Sequence, residues 1–163
     1  RKALSLKADY PQARNNYGVL LFRLKRYKEA MEQLDMAAAD LSYDRREVAR
    51  EYVAKIALML NDVPKAQTTY ERLLRLSPRA IEPAFALADL AYQQKNYDEA
   101  ERYFQRYVRN LAKEPFSPQA LLLGIRLAQR HRDINTVASY ELVLRTRYPQ
   151  SAEYREYLKM QPE

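Results

Sequence analysis

One histidine, twenty-one acidic side chains and no cysteine are all that this chain offers to acid–base, nucleophilic or metal chemistry. His131 stands between Arg130 and Arg132 at the end of a helical pattern. A basic turn of that kind suits a surface histidine better than a general base. Glu29 with Glu32, and Glu99 with Glu101, lie on helical faces that should be solvated rather than paired across a cleft. Metal-ligand spacings are absent, and two glycines cannot build a phosphate-cradling loop. Without cysteine there are no disulfides, zinc–thiolate sites or thiol catalysis, and the redox compartment stays open. The expectation is no enzyme, with no catalytic, cofactor-binding or metal residues. The chemistry left is recognition.

The elements that would position recognising side chains repeat. Gly18 and Gly124 sit in similar settings, Tyr17-Gly18-Val19-Leu20-Leu21 and Leu123-Gly124-Ile125-Arg126-Leu127, and lie 106 residues apart. Between them Ala30, Ala66 and Ala100 recur at steps of 36 and 34. A period near 34 is the mark of tetratricopeptide helix–turn–helix units. The expected fold is therefore all-α, a right-handed tetratricopeptide superhelix in the α-solenoid class. Full repeats are expected at 11–44, 47–80, 81–114 and 117–150, with 1–10 as the tail of a truncated repeat and 151–163 as a C-terminal capping helix. Tyr154, Tyr157 and Leu158 of that helix would cover the last repeat. The turns within repeats carry Lys25-Arg26-Tyr27, Asn61-Asp62-Val63, Lys95-Asn96-Tyr97 and Asp133-Ile134-Asn135. Asn and Asp suit them because their side chains bond free amides. Small residues at repeat positions 8 and 20 let the paired helices approach closely.

Few glycines and abundant Ala, Leu, Arg, Glu and Gln favour helix nearly throughout. No apolar run approaches the roughly 18 residues a membrane helix needs. The formal charge of +7 could suggest nucleic acid, but the cations mostly interleave with acids and no nucleic-acid motif accompanies them. An acidic partner or an anionic lipid surface would account for it equally. Of the fourteen tyrosines, Tyr17, Tyr70 and Tyr107 fall on packing positions, whereas Tyr52 and Tyr92 do not.

First helices of such units line a concave face through positions 2, 5, 6, 9, 12 and 13. The candidate partner-binding groove read from those positions comprises Asn15, Asn16, Val19, Phe22, Tyr52, Lys55, Met59, Phe85, Asp89, Tyr92, Leu121, Leu122 and Ile125, with Gln12, Arg23, Val48 and Leu58 beside them. So apolar a stripe marks a partner site, unless neighbouring helices bury it. It would take an apolar helix or extended peptide, with Asn15 and Asn16 bonding its backbone. Asn15, Val19, Tyr52, Glu82 and Ala86 do not form the carboxylate clamp of tetratricopeptide co-chaperones.

Tyr10-Pro11-Gln12-Ala13-Arg14-Asn15-Asn16-Tyr17-Gly18 and Arg26-Tyr27-Lys28-Glu29-Ala30-Met31 resemble the type IV pilus biogenesis proteins called PilF or PilW. So do Ser117-Pro118-Gln119-Ala120-Leu121-Leu122-Leu123-Gly124-Ile125-Arg126, and Ser139-Tyr140-Glu141-Leu142 leading to Arg147-Tyr148-Pro149-Gln150-Ser151. The resemblance implies an outer-membrane lipoprotein facing the periplasm, a pilotin of about six repeats. Its partner would be a segment of a PilQ-type secretin, and it would reach the outer membrane through a lipid anchor. The signal sequence, lipid-bearing cysteine and first repeat of that family are missing, which a trimmed chain would explain; they are expected upstream. The segment from Leu41 to Lys65 resembles the family less. Two other readings stay open: a tetratricopeptide adaptor unrelated to pili, and a basic module for nucleic acid or anionic surfaces.

Overall fold

The computed structural model describes residues 10–161. The expected tail of a truncated repeat lies outside the described residues except for Tyr10, the N-cap of the first helix. Among the described residues the chain forms α1 (Pro11–Arg23), α2 (Tyr27–Ala39), α3 (Arg46–Met59), α4 (Val63–Leu76), α5 (Ile81–Gln93), α6 (Tyr97–Leu111), α7 (Pro118–Arg130), α8 (Ile134–Arg147) and α9 (Ala152–Lys159), with no strand. The chain divides into two compact units, the boundary falling between Pro83 and Ala84 within α5.

The turns between paired helices are all built alike. In each, one residue takes the left-handed conformation: Lys25 (φ 58°), Asn61 (φ 60°), Lys95 (φ 62°) and Arg132 (φ 56°). The amide after it reaches back five residues: Arg26 to Leu21 (2.9 Å), Asp62 to Ala57 (2.8 Å), Asn96 to Ala91 (2.9 Å) and Asp133 to Ala128 (3.0 Å). The left-handed residue itself donates to Phe22, Leu58, Tyr92 or Gln129 at 2.9–3.1 Å. This double bond set satisfies carbonyls that a helix end would orphan. Glycine is the residue best suited to such a position, yet the chain places lysine there twice and arginine once. The next helix is then started by side chains. Asp62 accepts from the Lys65 amide and Asp133 from the Thr136 amide, both at 3.1 Å. Ser117 and Ser151 cap α7 and α9 in the same way, at 3.2 Å and 3.1 Å.

Helix pairs pack through small residues. In the first unit Ala30, Ala37, Ala49, Ala54, Ala57 and Ala66 are wholly buried, around Leu21, Leu34, Val53 and Ile56. A Cβ on Gly18 would lie 2.5 Å from Leu34 Cγ, so α1 and α2 meet closer than a side chain allows. One charge is also buried. Arg50 Nη2 donates to the Ala38 carbonyl near the end of α2 at 2.9 Å, while Nη1 meets Glu47 at 3.2 Å. Burial lowers its pKa, and the nearby Arg72 adds to this, but a guanidinium stays charged.

In the second unit a Cβ on Gly124 would lie 2.6 Å from Tyr140 Cε2 and 2.8 Å from Phe104 Cζ. Leu121, Leu122, Ile125, Leu144 and Tyr157 form its core with Phe116, Val137, Tyr140, Val143, Tyr148 and Tyr154 around them. The Tyr148 hydroxyl donates to the Phe116 carbonyl at 2.8 Å and pins the loop before α7. Of the three α9 residues expected to cover this end, Tyr157 is buried and Tyr154 half-buried, but Leu158 stays 51% exposed. No helix among the described residues is long and apolar enough to cross a membrane.

Helix propensity alone makes alanine better than glycine inside α1 by about 0.5–1 kcal/mol. The Leu34 contact reverses that sign. Gly18→Ala should lower the unfolding free energy by about 1–3 kcal/mol through overpacking. A stabilised variant in a denaturant titration would show that α1 and α2 are not so closely spaced. Lys95→Gly should act oppositely, raising stability by about 0.5–1 kcal/mol by relieving left-handed strain at an exposed turn. The same titration reads it.

Candidate functional site

In the first unit the groove residues are carried by α1 and α3. Successive residues face the space between these helices: Asn15, Asn16, Val19, Leu20 and Arg23 from α1, then Arg45 at the N-cap of α3, with Val48 and Tyr52. They enclose an open cleft of about 320 Å³. Asn15 is 5% exposed, and its Oδ1 has no hydrogen-bond partner. The Asn16 Oδ1 accepts from Gln12 Nε2 at 2.9 Å, and the Tyr43 hydroxyl meets Gln12 Oε1 at 3.3 Å, which ties the loop before α3 to α1. Leu20 is half-exposed, whereas Val19 is partly buried. Arg23 and Arg45 are exposed, and no acidic residue lines the cleft.

Beyond this cleft, Phe22 stacks edge-on against Tyr52 with ring centroids 5.4 Å apart, and on Tyr27 at 5.8 Å. Lys55 bridges Glu51 at 3.0 Å and Glu82 at 3.3 Å. Burial pulls the Lys55 pKa down, but the hydrogen bonds and charges of Glu51 and Glu82 outweigh it and leave it raised. Lys55 is thus held by the protein's own acids. Met59 is 57% exposed at the end of α3. Buried Tyr70 has its hydroxyl pKa pushed up by burial, with Glu82 and Glu51 adding to it.

The second unit treats its expected groove residues differently. Phe85 leans on Tyr107 at 5.4 Å, and Tyr92 on Tyr97 at 5.3 Å with the Arg126 guanidinium 5.9 Å from its ring. Asp89 accepts from Gln93 Nε2 at 2.8 Å. Burial holds its carboxyl above the ordinary range, and the Gln93 bond and Arg126 charge offset this in part. Leu121, Leu122 and Ile125 are not groove residues: they are 0%, 4% and 0% exposed. The reason is α9, which adds Tyr157 and Tyr154 to their cluster and is tied to α7 by Gln119–Glu153 (2.7 Å) and Arg126–Glu156. The apolar face of α7 that reads from sequence as a partner surface is covered by the chain itself.

The cleft of the first unit also contains what sequence reasoning passed over. Leu20 occupies a repeat position not assigned to the groove, and Arg45 reads from sequence as an inserted residue between repeats. The doublet Arg45-Arg46 just before a helix was the available signal, since an N-cap side chain can lean over the neighbouring first helix. A second cleft, of about 460 Å³, lies among α6, α7 and α8, floored by Phe104, Gly124, Leu127 and Tyr140. Its rim mixes Glu101, Arg109, His131 and Asp133. His131 Nε2 lies 4.0 Å from Glu101, and the Thr136 hydroxyl donates to Asp133 at 2.6 Å, not to the histidine.

A profile of the tetratricopeptide repeat matches residues 1–45 and 54–116. Over 157 residues the chain is 35% identical to the type IV pilus assembly protein PilF of Pseudomonas aeruginosa, covering 96% of this chain and 61% of that one. A structure from the functional characterisation of P. aeruginosa PilF superposes with a TM-score of 0.90 at 34% identity, covering 99% of this chain and 71% of the other. The chain belongs to the PilF/PilW family of tetratricopeptide-repeat proteins. The crystal structure of PilW, described as a widely conserved type IV pilus biogenesis factor, agrees: TM-score 0.77, 28% identity, 97% and 71% coverage. The fold class is accordingly all-α, the tetratricopeptide α-solenoid, in a family of protein-interaction modules tied to type IV pili. The chain spans 61% of the length of the P. aeruginosa PilF sequence.

The raised Asp89 pKa has a stability consequence with a definite sign. A carboxyl whose folded pKa lies above its unfolded one stabilises below the unfolded value and loses that contribution as pH rises through the folded value. Asp89→Asn removes the loss. Its melting temperature should exceed that of the parent by more at pH 7 than at pH 3.5, measured by circular dichroism. An equal or inverted gap would mean that Arg126 and Gln93 dominate the site.

Proposed function

We propose that this protein is a non-enzymatic scaffold of type IV pilus biogenesis that holds a segment of a PilQ-type secretin and supports its assembly, as a pilotin at the periplasmic face of the outer membrane. The family membership supports the pilus context. The observation that carries partner binding is the cleft between α1 and α3: open, walled by Val19, Leu20, Val48 and Tyr52 together with two asparagine amides and two arginines, and free of acidic side chains. Such a surface on an interaction module is built to be covered. The lipid anchor is supplied in this reading by sequence upstream of Arg1. In the second unit, Phe85, Asp89 and Tyr92 remain on the proposed partner surface, while Leu121, Leu122 and Ile125 leave it.

The test uses the full-length protein in a piliated cell lacking its own copy. Leu20→Glu places a charge at a half-exposed position of the cleft wall and should leave the melting temperature within a degree or two of the parent. Secretin recovered with the protein should fall about tenfold or more, as a hot-spot loss of 1.4 kcal/mol or more dictates, and surface pili should fall with it. Undiminished secretin recovery would rule out this cleft as the capture site. Normal secretin multimers in cells lacking the protein altogether would rule out the pilotin role.

A further inference from the structure

The chemistry of the α1–α3 cleft specifies more than a partner. Arg23 and Arg45 are exposed at its margins, and neither has an ion-pair partner among the described residues. Arg26 pairs with Glu29, Arg46 with Glu47, Lys55 with Glu51 and Glu82, and Lys65 with Asp35. Lys25 and Lys28 are exposed without an ion pair among the described residues but line no part of this cleft. Two unpaired guanidiniums facing a space without a single acid form a local positive field that an incoming carboxylate would relieve. Independently, Asn15 is nineteen-twentieths buried and makes no hydrogen bond through its Oδ1. A buried amide oxygen left so stays desolvated without compensation until it finds a partner, and rotation of the amide plane lets it offer either a donor or an acceptor. Beside it Asn16 has its oxygen occupied by Gln12, which leaves its exposed NH₂ to donate to an incoming acceptor. Amides of both polarities match a peptide backbone.

We infer that the α1–α3 cleft binds an extended acidic segment of a partner polypeptide, with two carboxylate side chains about four residues apart and an apolar side chain between them. The inference rests on the partner-binding reading above and adds its chemistry. The spacing follows from the frame. Eight residues of α1 separate Asn15 from Arg23, which at about 1.5 Å per residue is roughly 12 Å. An extended chain covers that distance in about four residues at about 3.3 Å each. Side chains at the first, third and fifth positions of such a segment share one face, so two acids and the apolar residue between them all point into the cleft. The span from Asn15 to Arg23 is the length of the α1 wall. In the proposed placement one carboxylate meets Arg23 at its end and the other meets Arg45, which lines the same cleft from the N-cap of α3. The apolar side chain meets Val19, Leu20, Val48 and Tyr52. A chain terminus brings only one carboxylate, so internal acidic side chains fit better. A nucleic acid or anionic bilayer fits worse, because two cations at a cleft of about 320 Å³ reach few phosphates.

The test is fluorescence anisotropy with the purified protein and a labelled, N-acetylated, C-amidated peptide containing Asp-Ser-Leu-Ser-Asp. Controls carry Asn-Ser-Leu-Ser-Asn, or the same residues with the two acids adjacent. The spaced acidic peptide should bind at least about tenfold more tightly than either control, and weaken as salt rises from about 50 to about 500 mM. Arg23→Gln and Arg45→Gln should each cost about fivefold with unchanged melting curves, while Lys113→Gln in the turn after α6 should cost nothing. Three results would overturn the proposal: equal affinity for all peptides, no binding below about 1 mM, or unaltered affinity in both arginine variants. Displacement of the peptide by duplex DNA or phosphatidylglycerol vesicles, with that competitor's own binding lost in the same variants, would also overturn it in favour of an anionic polymer or surface. Peptide failure with secretin capture still sensitive to Leu20→Glu discards the acidic chemistry alone; capture insensitive to Leu20→Glu discards the cleft itself.

Discussion

The distance between paired helices governs everything else in this protein. Gly18 against Leu34, and Gly124 against Tyr140 and Phe104, fix helices at a separation where even one Cβ does not fit. Wholly buried alanines such as Ala30, Ala66 and Ala100 belong to the same packing. Close pairing buries the large side chains of one face of each helix and leaves the other face to its surroundings. The surface of the first unit proposed to recognise a partner is therefore a by-product of packing: α1 and α3 present residues that the α1–α2 and α3–α4 pairings did not consume.

What happens to such a leftover face depends on the next element. In the first unit the residues between α1 and α3 stay open, with cations at the margins and a buried asparagine whose side-chain oxygen has no internal partner. In the second, α9 lies over α7 and converts Leu121, Leu122 and Ile125 into core. The covered α7 face is wholly aliphatic, and what covers it is a short amphipathic helix whose tyrosines supply area and whose acids, Glu153 and Glu156, meet Gln119 and Arg126. The electrostatics follow the same division. Where the chain meets its own charges, as at Lys55 with Glu51 and Glu82, the site is satisfied and inert. Where it does not, as at Arg23 and Arg45, it is poised for a charge from elsewhere.

Much of the fold was legible in advance. The 34-residue ladder of small side chains, the turn residues Asp62 and Asp133, and the pilus-family segments around Gly18 and Gly124 all carry local or periodic information. The left-handed residues at Lys25, Lys95 and Arg132 were not legible, because backbone hydrogen bonds rather than residue preference impose that conformation. Most of the candidate site was legible as well: Asn15, Asn16, Val19, Arg23, Val48 and Tyr52 follow from helix periodicity. Arg45 and Leu20 did not follow, since one lies outside the helix that it serves and the other sits at the edge of the periodic face.

Residue order alone determined that helices would form, where they would turn, how closely pairs would approach and which side of each first helix would face a common surface. Those are properties of spacing along one chain. Whether that surface would be open or filled was decided only in three dimensions, because it depends on which distant segment packs against it. Periodicity tells which side chains share a face; it does not tell what else the chain brings to cover them.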